Sequence, residues 1–350
     1  MHKTAFFLLT HLFLHLGLGQ QKSPNIVLVI GDGTGLSQVT AGMYANGNKT
    51  HLESFPVVGL AKTHSLNALV TDSAASGTAM ACGVKTYNGT IGIDGKNVQH
   101  PSILEYAEDK NYTTGMITTS SIVHATPASF YAKVPSRSKY QDIALQLKES
   151  DLDYFIGGGK KHFTKRKDNR NLVAEMTEWT IVNRLKSFDD ATTDKVGYFT
   201  NYDEPLPILE GRKPDLADAV RSMLQKFEEK QAPFFMMVEG SQIDWGGHAN
   251  DLGYIVSEFL DMDEAIGVLV DYANKHPNTL LIVTADHETG GLGISSGNRR
   301  TFQPKGGFVT GGHTASMVPV FAKGLEEQLF SGIYENTAIF EKMMTVLNRQ

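Results

Sequence analysis

The 350-residue sequence contains one cysteine, Cys82, so no disulfide can form within the chain. Its stability must therefore come from an apolar core or from bound metal ions. The sequence also has no excess of positive charge, because 32 Lys and Arg stand against 38 Asp and Glu, for a net charge of −6. This balance disfavours a protein that binds nucleic acid as a specific ligand, since such a protein needs a basic surface.

Long apolar runs are also scarce. Lys3 precedes a mostly apolar run of 14 residues, 5–18, which is too short to cross a bilayer comfortably. A basic residue followed by a short apolar run is typical of a signal peptide, which we expect at residues 1–19 with cleavage near Gln20. The alternative is an N-terminal membrane anchor. We expect an exported protein, periplasmic or secreted, that has no membrane attachment after cleavage.

The rest of the chain has the composition of a globular protein, with 41% hydrophobic and 20% charged residues. Continuous apolar runs predict buried strands at 25–30, 113–119, 233–238 and 279–284. Helical patterns lie between and after them, at 102–110, 139–149, 215–230, 251–275 and 335–348. This alternation predicts an α/β fold with a doubly wound, mostly parallel central sheet and helices on both faces.

Two segments fit this pattern less well. Residues 157–214 are weakly periodic and rich in Gly, Lys and Asp, which indicates a partial insertion. Residues 290–312 are glycine-rich and predict a surface loop. Because no repeat or long low-complexity tract is present, we predict a single domain over residues 20–350.

Acidic, histidine and hydroxyl residues follow the predicted strands. Binding sites in doubly wound sheets form at the carboxyl ends of the strands. The residues at these positions are Asp32 after the first strand, His124 and Thr126 after the second, Glu239 after the third, and Asp286 and His287 after the fourth. A single residue of this kind usually has a structural role, but the repetition at successive strand ends indicates a shared site.

Further potential ligands lie in helical and glycine-rich segments. Asp244 and His248 are four residues apart, which places them on one side of a helical turn. His313 lies in the glycine-rich run Gly311-Gly-His-Thr-Ala315. Such a mixture of nitrogen and oxygen ligands with hydroxyl neighbours suits Zn²⁺ with a harder Mg²⁺ beside it.

A serine stands where a helix is predicted to begin. In the run VTDSAASGTA, at 70–79, either Asp72 or Ser73 takes the first position before a series of small residues. The free N–H groups of a helix N-terminus suit a phosphate or a deprotonated serine. The structural alternative is an ordinary helix cap. The GDGTG run at 31–35 does not have the glycine spacing of a dinucleotide loop, because Leu36 and Gln38 occupy the positions that would need glycine.

Six motifs occur in a consistent order: IGDGTG, TDSAASGTA, HATPA, EGSQIDWGGHAN, TADHETGG and GGHT. With them, the chain from about Asn25 to Pro319 resembles the metal-dependent alkaline phosphatases of the short bacterial type. The resemblance implies the fold of that family and the hydrolysis of phosphate monoesters through a covalent phosphoserine. It also implies two zinc ions and one magnesium ion as cofactors, and a possible homodimer.

The resemblance implies roles for the matching residues. Ser73 matches the serine that accepts the phosphoryl group, and Arg137 matches the arginine that clamps the phosphate. Asp286 and His287, with Asp32, match the ligands of the zinc that binds this serine. Other positions match the ligands of the second zinc (Asp244, His248 and His313) and of magnesium (Asp32, Thr126 and Glu239). His124 and Trp245 stand near the site at positions that differ among branches of the family.

Two other functions remain as alternatives, a phosphodiesterase and a non-catalytic binding protein. A phosphodiesterase of the same superfamily usually has threonine as its nucleophile, where this chain has Ser73. A sulfatase would need C-x-P-x-R, but Cys82 is followed by Gly-Val-Lys-Thr. A non-catalytic exported protein that binds metal or phosphate would need the ligands but neither Ser73 nor Arg137.

Overall fold

The computed structural model describes residues 23–349, so the predicted signal peptide at 1–19 lies outside the described residues. This part of the chain forms fourteen strands, twelve α-helices and three short 3₁₀-helices. The strands are β1 (Asn25–Gly31), β2 (Val57–Lys62), β3 (Thr113–Ser121), β4 (Tyr154–Gly158), β5 (Trp179–Val182), β6 (Lys195–Phe199), β7 (Phe234–Gly240), β8 (Thr279–Thr284), β9 (Glu288–Thr289), β10 (Gly293–Asn298), β11 (Gln303–Gly307), β12 (His313–Thr314), β13 (Val318–Gly324) and β14 (Gly332–Glu335).

The α-helices are distributed along the whole described chain. They are α1 (Leu36–Ala45), α2 (Ser73–Cys82), α3 (Ile103–Asp109), α4 (Ala125–Ala128), α5 (Tyr140–Glu149), α6 (Lys161–Thr164), α7 (Leu172–Glu175), α8 (Leu185–Asp190), α9 (Leu216–Lys230), α10 (Gln242–His248), α11 (Leu252–Lys275) and α12 (Thr337–Leu347). The 3₁₀-helices are His51–Ser54, Ile208–Glu210 and Glu327–Phe330. Within residues 23–349, no helix has the length and apolar character needed to cross a bilayer.

Ten strands form the central sheet in the order β14-β2-β13-β8-β1-β7-β3-β4-β6-β5. Strand β13 runs antiparallel to both of its neighbours, and the remaining pairs are parallel. The predicted α/β fold with a mostly parallel sheet is therefore confirmed. The four predicted strands are β1, β3, β7 and β8, which stand next to one another in the order β8-β1-β7-β3.

The core lies on both faces of this sheet. Along β1, Ile26, Leu28 and Ile30 belong to one apolar cluster, whereas Val27 and Val29 belong to another. This division follows from the alternation of side chains along a strand. The first cluster includes residues of α2, α3, α5 and α12, and the second includes residues of α1, α9 and α11. Helices therefore cover both faces, as the continuous apolar runs predict.

The two segments with weak patterns have defined structure. Residues 157–214 contribute β5 and β6, which form one edge of the central sheet, so this segment extends the sheet. Within the predicted loop at 290–312, β10 and β11 form an exposed antiparallel hairpin. Strands β2, β13 and β14, which the apolar pattern did not predict, form the opposite edge.

A buried ion-pair cluster fixes the chain between β6 and α9. Arg212 is 4% exposed, and its Nη2 lies 2.8 Å from Glu258 Oε2 and 2.6 Å from Asp261 Oδ2, both on α11.

Replacement of Arg212 by Met leaves two buried carboxylates without a cation. We expect Arg212→Met to lower the free energy of unfolding by about 3–5 kcal/mol in denaturant titrations. Arg221→Met, on the exposed side of α9, is the matched control and should change it by under about 0.5 kcal/mol. Equal effects of the two substitutions would contradict this account.

The single cysteine is enclosed by the first apolar cluster. Burial raises the pKa of Cys82 to about 11, so only about one thiol in 10³ is ionised at pH 8. We expect the folded protein to react with a thiol reagent such as DTNB at least about 100-fold more slowly than the protein unfolded in guanidinium. Rapid labelling of the native protein would show that Cys82 is accessible.

Candidate functional site

The parallel strands at the centre of the sheet end at the same edge and bring their following residues together. Asp32 follows β1, and Asp286 and His287 follow β8, which pairs with β1 in parallel. His287 Nε2 lies 3.1 Å from Asp286 Oδ2 and 3.5 Å from Asp32 Oδ1. All three residues are buried, and one ligand atom from each lies within 4.8 Å of the others. We call these three residues the Asp32 group.

A second cluster adjoins the first. Helix α10 carries Asp244 and His248, and His248 Nε2 lies 3.3 Å from Asp244 Oδ2. Strand β12 supplies His313, whose Nε2 is 3.6 Å from Asp244 Oδ1 and 3.2 Å from His248 Nε2. We call Asp244, His248 and His313 the His313 group. The rings of His287 and His313 stack with centroids 3.6 Å apart, so the two groups are in contact.

Hydrogen bonds set the tautomers of the histidines in the His313 group. His248 Nδ1 lies 2.7 Å from the carbonyl of Gly311, and His313 Nδ1 lies 2.9 Å from the carbonyl of Thr71. A carbonyl only accepts, so each Nδ1 carries the hydrogen and each neutral Nε2 presents a lone pair. The two lone pairs and the Asp244 carboxylate converge on one point. In the protein without metal, the hydrogen bond between His248 and Asp244 raises the pKa of His248 to about 9 against the effect of burial, so a positive charge is favoured at this point.

Thr289 orients one ligand of each group. Its Oγ1 donates to Asp244 Oδ1 at 2.5 Å and lies 3.2 Å from His287 Nδ1, from which it accepts. His287 therefore also presents its Nε2 lone pair to the site. The sequence reasoning missed Thr289, although it lies in the same TADHETGG motif, two residues after His287. Such partners of metal ligands fix ring orientation and tautomer.

The Asp32 group contains buried charge that no neighbouring protein group neutralises fully. Among residues 23–349, Asp32 Oδ1 and Asp286 Oδ2 are buried without a hydrogen-bond partner. Burial, and then the charges of Asp286, Asp244 and Glu239, raise the pKa of Asp32 well above its usual value. Burial also opposes ionisation of Asp286, but His287 lowers the pKa of Asp286 to about 2. Convergent buried carboxylates need a cation, so these residues fit a bound metal ion.

Ser73 is the first residue of α2, which packs wholly within the protein. Asp72 is the N-cap, since its Oδ1 accepts from the backbone N–H of Ala75 at 3.0 Å. The capping function therefore belongs to Asp72 and leaves the Ser73 hydroxyl free. Ser73 Oγ lies 3.3 Å from His287 Nε2, which places it against the Asp32 group. The N-terminus of α2 also contributes positive potential at this hydroxyl.

Arg137 lies on the other side of the same helix cap. Its Nη1 is 3.0 Å from Asp72 Oδ2, and its side chain is 33% exposed. The Asp72 carboxylate also accepts from the backbone N–H of Gly89, and Gly89 O accepts from the backbone N–H of Arg137 at 2.6 Å. The arginine is thus held within reach of the N-terminus of α2 by residues distant in sequence. Burial lowers the pKa of Arg137, but the carboxylate of Asp72, and then that of Asp32, raise it above its usual value.

Thr126 and Glu239 extend the Asp32 group toward β3 and β7. Thr126 Oγ1 lies 3.5 Å from Asp32 Oδ2. Glu239 is buried near the end of β7 and accepts a hydrogen bond from Thr118 Oγ1, which lies 2.9 Å from Ser241 Oγ. Burial raises the pKa of Glu239, and the hydrogen bond from Thr118 opposes that shift. Thr118 lies inside a predicted strand, where nothing in the sequence distinguishes it from a core residue.

His124 and Trp245 stand beside one another at the edge of the site, with ring centroids 6.0 Å apart. His124 also stacks on Tyr140 at 6.1 Å, and its Nε2 lies 3.4 Å from Glu204 Oε1. Glu204 is in the weakly periodic segment 157–214, so no sequence pattern indicated that it lies near the site. This contact turns His124 toward Glu204.

The sequence model of the alkaline phosphatase family matches residues 23–304 of this chain. The chain belongs to the alkaline phosphatase family. Its similarity to Alkaline phosphatase 3 of Bacillus subtilis (strain 168) is 35% identity over 296 residues, which is 79% of this chain and 63% of that protein. Alkaline phosphatase of Escherichia coli (strain K12) is 32% identical over 334 residues, 77% of this chain and 71% of that protein. The chain thus spans less than two thirds of the length of the Bacillus relative.

Solved structures of the family have the same fold. The alkaline phosphatase of the Antarctic bacterium TAB5 superposes with a TM-score of 0.89 at 42% identity, covering 94% of this chain and all of that one. A cold-active alkaline phosphatase from Shewanella sp. gives 0.85 at 29% identity, covering 93% of this chain and 100% of the other. A histidine-to-aspartate variant of the TAB5 enzyme has magnesium bound in its M3 site. The resemblance drawn from the six motifs is therefore confirmed.

Proposed function

We propose that this protein is an alkaline phosphatase that hydrolyses phosphate monoesters to an alcohol and inorganic phosphate. The observation that carries the proposal is the position of Ser73 Oγ. It lies at the N-terminus of α2, 3.3 Å from His287 Nε2 and beside buried carboxylates that need a cation. A serine in this position is suited to accept a phosphoryl group, because charge near its oxygen stabilises the alkoxide.

The cofactors in this proposal are two zinc ions and one magnesium ion. The Asp32 group, with Ser73, would hold one zinc, and the His313 group would hold the other. Asp32, Thr126 and Glu239 would hold magnesium, which prefers oxygen ligands. When bound, these ions supply positive charge that favours anionic oxygens on the phosphoryl group and on the attacking and leaving atoms.

The chain's own residues would act in two displacements at phosphorus. Ser73 Oγ loses its proton to water and forms a bond to phosphorus as the bond to the leaving oxygen breaks. That oxygen takes up a proton from water, which yields the alcohol and a phosphoserine. Water then attacks the same phosphorus, the Ser73 Oγ–phosphorus bond breaks, and inorganic phosphate leaves. Arg137 can hold two phosphoryl oxygens through its planar guanidinium, and Asp72 would hold it in place. Phosphoryl transfer depends mainly on such positioning and charge.

The cellular location, domain organisation and oligomeric state of the enzyme are also inferred. We infer that residues 1–19 are a signal peptide and that residues 20–350 form one catalytic domain. The mature protein would be periplasmic or secreted, would act on small phosphate monoesters and would form a homodimer. The apolar run at 5–18 supports export, whereas the homodimer is supported only by the family resemblance.

The test compares p-nitrophenyl phosphate with its bis-ester at alkaline pH, using the purified chain before EDTA, after EDTA, and after zinc and magnesium are restored. We expect a strong preference for the monoester that is lost with EDTA and regained with metal. Preference for the bis-ester would instead identify a phosphodiesterase. If a metal-loaded protein cleaves neither compound, the site is a binding site and the catalytic proposal fails.

A further inference from the structure

Glu288 follows His287 directly and is 5% exposed, yet its carboxylate is hydrogen-bonded to no residue of either metal-ligand group. Its Oε1 accepts from Gln38 Nε2 at 2.6 Å and from the backbone N–H of Leu292 at 3.1 Å. Its Oε2 accepts from the backbone N–H of Gly291 at 3.2 Å and from Thr314 Oγ1. A buried carboxylate with four neutral donors and, among the described residues, no basic partner is an unusual arrangement that needs a reason.

Gln38 connects this carboxylate to the chain that follows Asp32. Its Nε2 donates to the backbone carbonyl of Thr289 at 2.9 Å as well as to Glu288, and its Oε1 accepts from the backbone N–H of Gly35 at 3.1 Å. Gln38 is fully buried. No larger residue than glycine fits at Gly35, because a Cβ there would lie 2.5 Å from Glu288 Cγ. Hydrogen bonds and close packing at Glu288 therefore hold the segment after β1 against the segment after β8.

The hydrogen bond from Thr314 to Glu288 connects this arrangement to His313, the residue before Thr314. Strands β9 and β12 are two residues each, and they pair His313 with Thr289 and Thr314 with Glu288. This short ladder is the only regular structure that the described chain has between β11 and β13. His313 therefore depends on few contacts for its position, and the bond from Thr314 to Glu288 is one of them.

We propose that Glu288 is a positioning residue that sets the zinc affinity of the His313 group. By holding Thr314, it places His313 Nε2 near Asp244 and His248 before a metal binds. The preformed arrangement avoids the ordering of an exposed glycine-rich segment at the moment of binding. This inference rests on the proposed function, in that it takes zinc to be the ion that the His313 group binds.

The experiment measures zinc retention against a chromogenic chelator for the full chain and for single variants. Glu288→Gln keeps the size of the side chain but presents an NH₂ group to donors. Thr314→Val replaces the hydroxyl that reaches Glu288, and that also contacts Ser316, by a methyl group, and Thr314→Ser keeps a hydroxyl. Glu264→Gln, at an exposed position on α11, is the matched control for the change of charge.

We expect Glu288→Gln and Thr314→Val to release one zinc equivalent about 10–100-fold more readily than the unchanged protein. Thr314→Ser and Glu264→Gln should retain zinc as the unchanged protein does. Unaltered zinc affinity in Thr314→Val would overturn the inference, even if that variant melts at a lower temperature, because a purely structural role predicts that pattern. If Glu288→Gln does not fold, Thr314→Val decides. Since the readout is zinc binding, absence of phosphatase activity in the unchanged protein would count against the proposed function only.

Discussion

Replacement of Ser73 by alanine is expected to lower kcat for phosphate monoesters by at least about 10³-fold. The reason is that Ser73 Oγ is the side-chain oxygen at the N-terminus of α2, and it lies 3.3 Å from His287 Nε2. Its loss removes the atom that accepts the phosphoryl group in the proposed function. The remaining carboxylates and histidines stay in place, so we expect zinc content to be retained and residual hydrolysis to proceed by direct attack of water.

The matched control is Ser295→Ala, on the exposed hairpin strand β10, which should keep full activity. Steady-state kinetics with p-nitrophenyl phosphate and metal analysis of the same samples separate loss of the nucleophile from loss of metal. Retention of more than about a tenth of kcat in Ser73→Ala would mean that Ser73 does not receive the phosphoryl group in the unchanged protein.

Removal of metal is expected to abolish activity and to lower the melting temperature by about 5–10 °C. Without cations, the carboxylates of Asp32, Asp286 and Asp244 share a buried space in which two oxygens have no hydrogen-bond partner within residues 23–349. Ligands that bind only the folded state stabilise it by about 4 kcal/mol when present at 1,000 times their dissociation constant. Calorimetry with and without EDTA measures this difference.

Restored zinc should recover both the melting temperature and the activity. A reducing agent is the control, because a chain with one cysteine has no internal disulfide to lose and should melt unchanged. If EDTA removes the metal and the melting temperature does not move, the buried carboxylates are tolerated without cations. That result would contradict the interpretation of their unpaired oxygens.

The central strands and their following residues could be predicted because both signals are local. Asp32, Glu239 and Asp286 each come directly after or at the end of an apolar run, and parallel strands bring such positions to one edge of the sheet. The roles of particular residues came from the family resemblance. Arg137 is an example of a residue that has no such local signal. Nothing near it in sequence indicates a site, and only the fold places it against Asp72.

The rest of the site depends on contacts between distant segments. Thr289 and Gln38 act through hydrogen bonds to residues that the fold brings near, and threonine or glutamine in a sequence has no distinctive pattern. Strands β2 and β13 were missed because they lie at or near one edge of the sheet and are less continuously apolar than β1. The same reason applies to β5, whose residues are mostly half-buried.

The most direct test of the central claim is to quench the metal-loaded protein with acid during turnover of a phosphate monoester and to map phosphorylation by mass spectrometry. Trypsin cleaves after Lys62 and after Lys85, so Ser73 would lie in the peptide 63–85. We predict one phosphoryl group on Ser73, and none in Ser73→Ala. A phosphoryl group on a different residue, or none at all while turnover continues, would contradict the account.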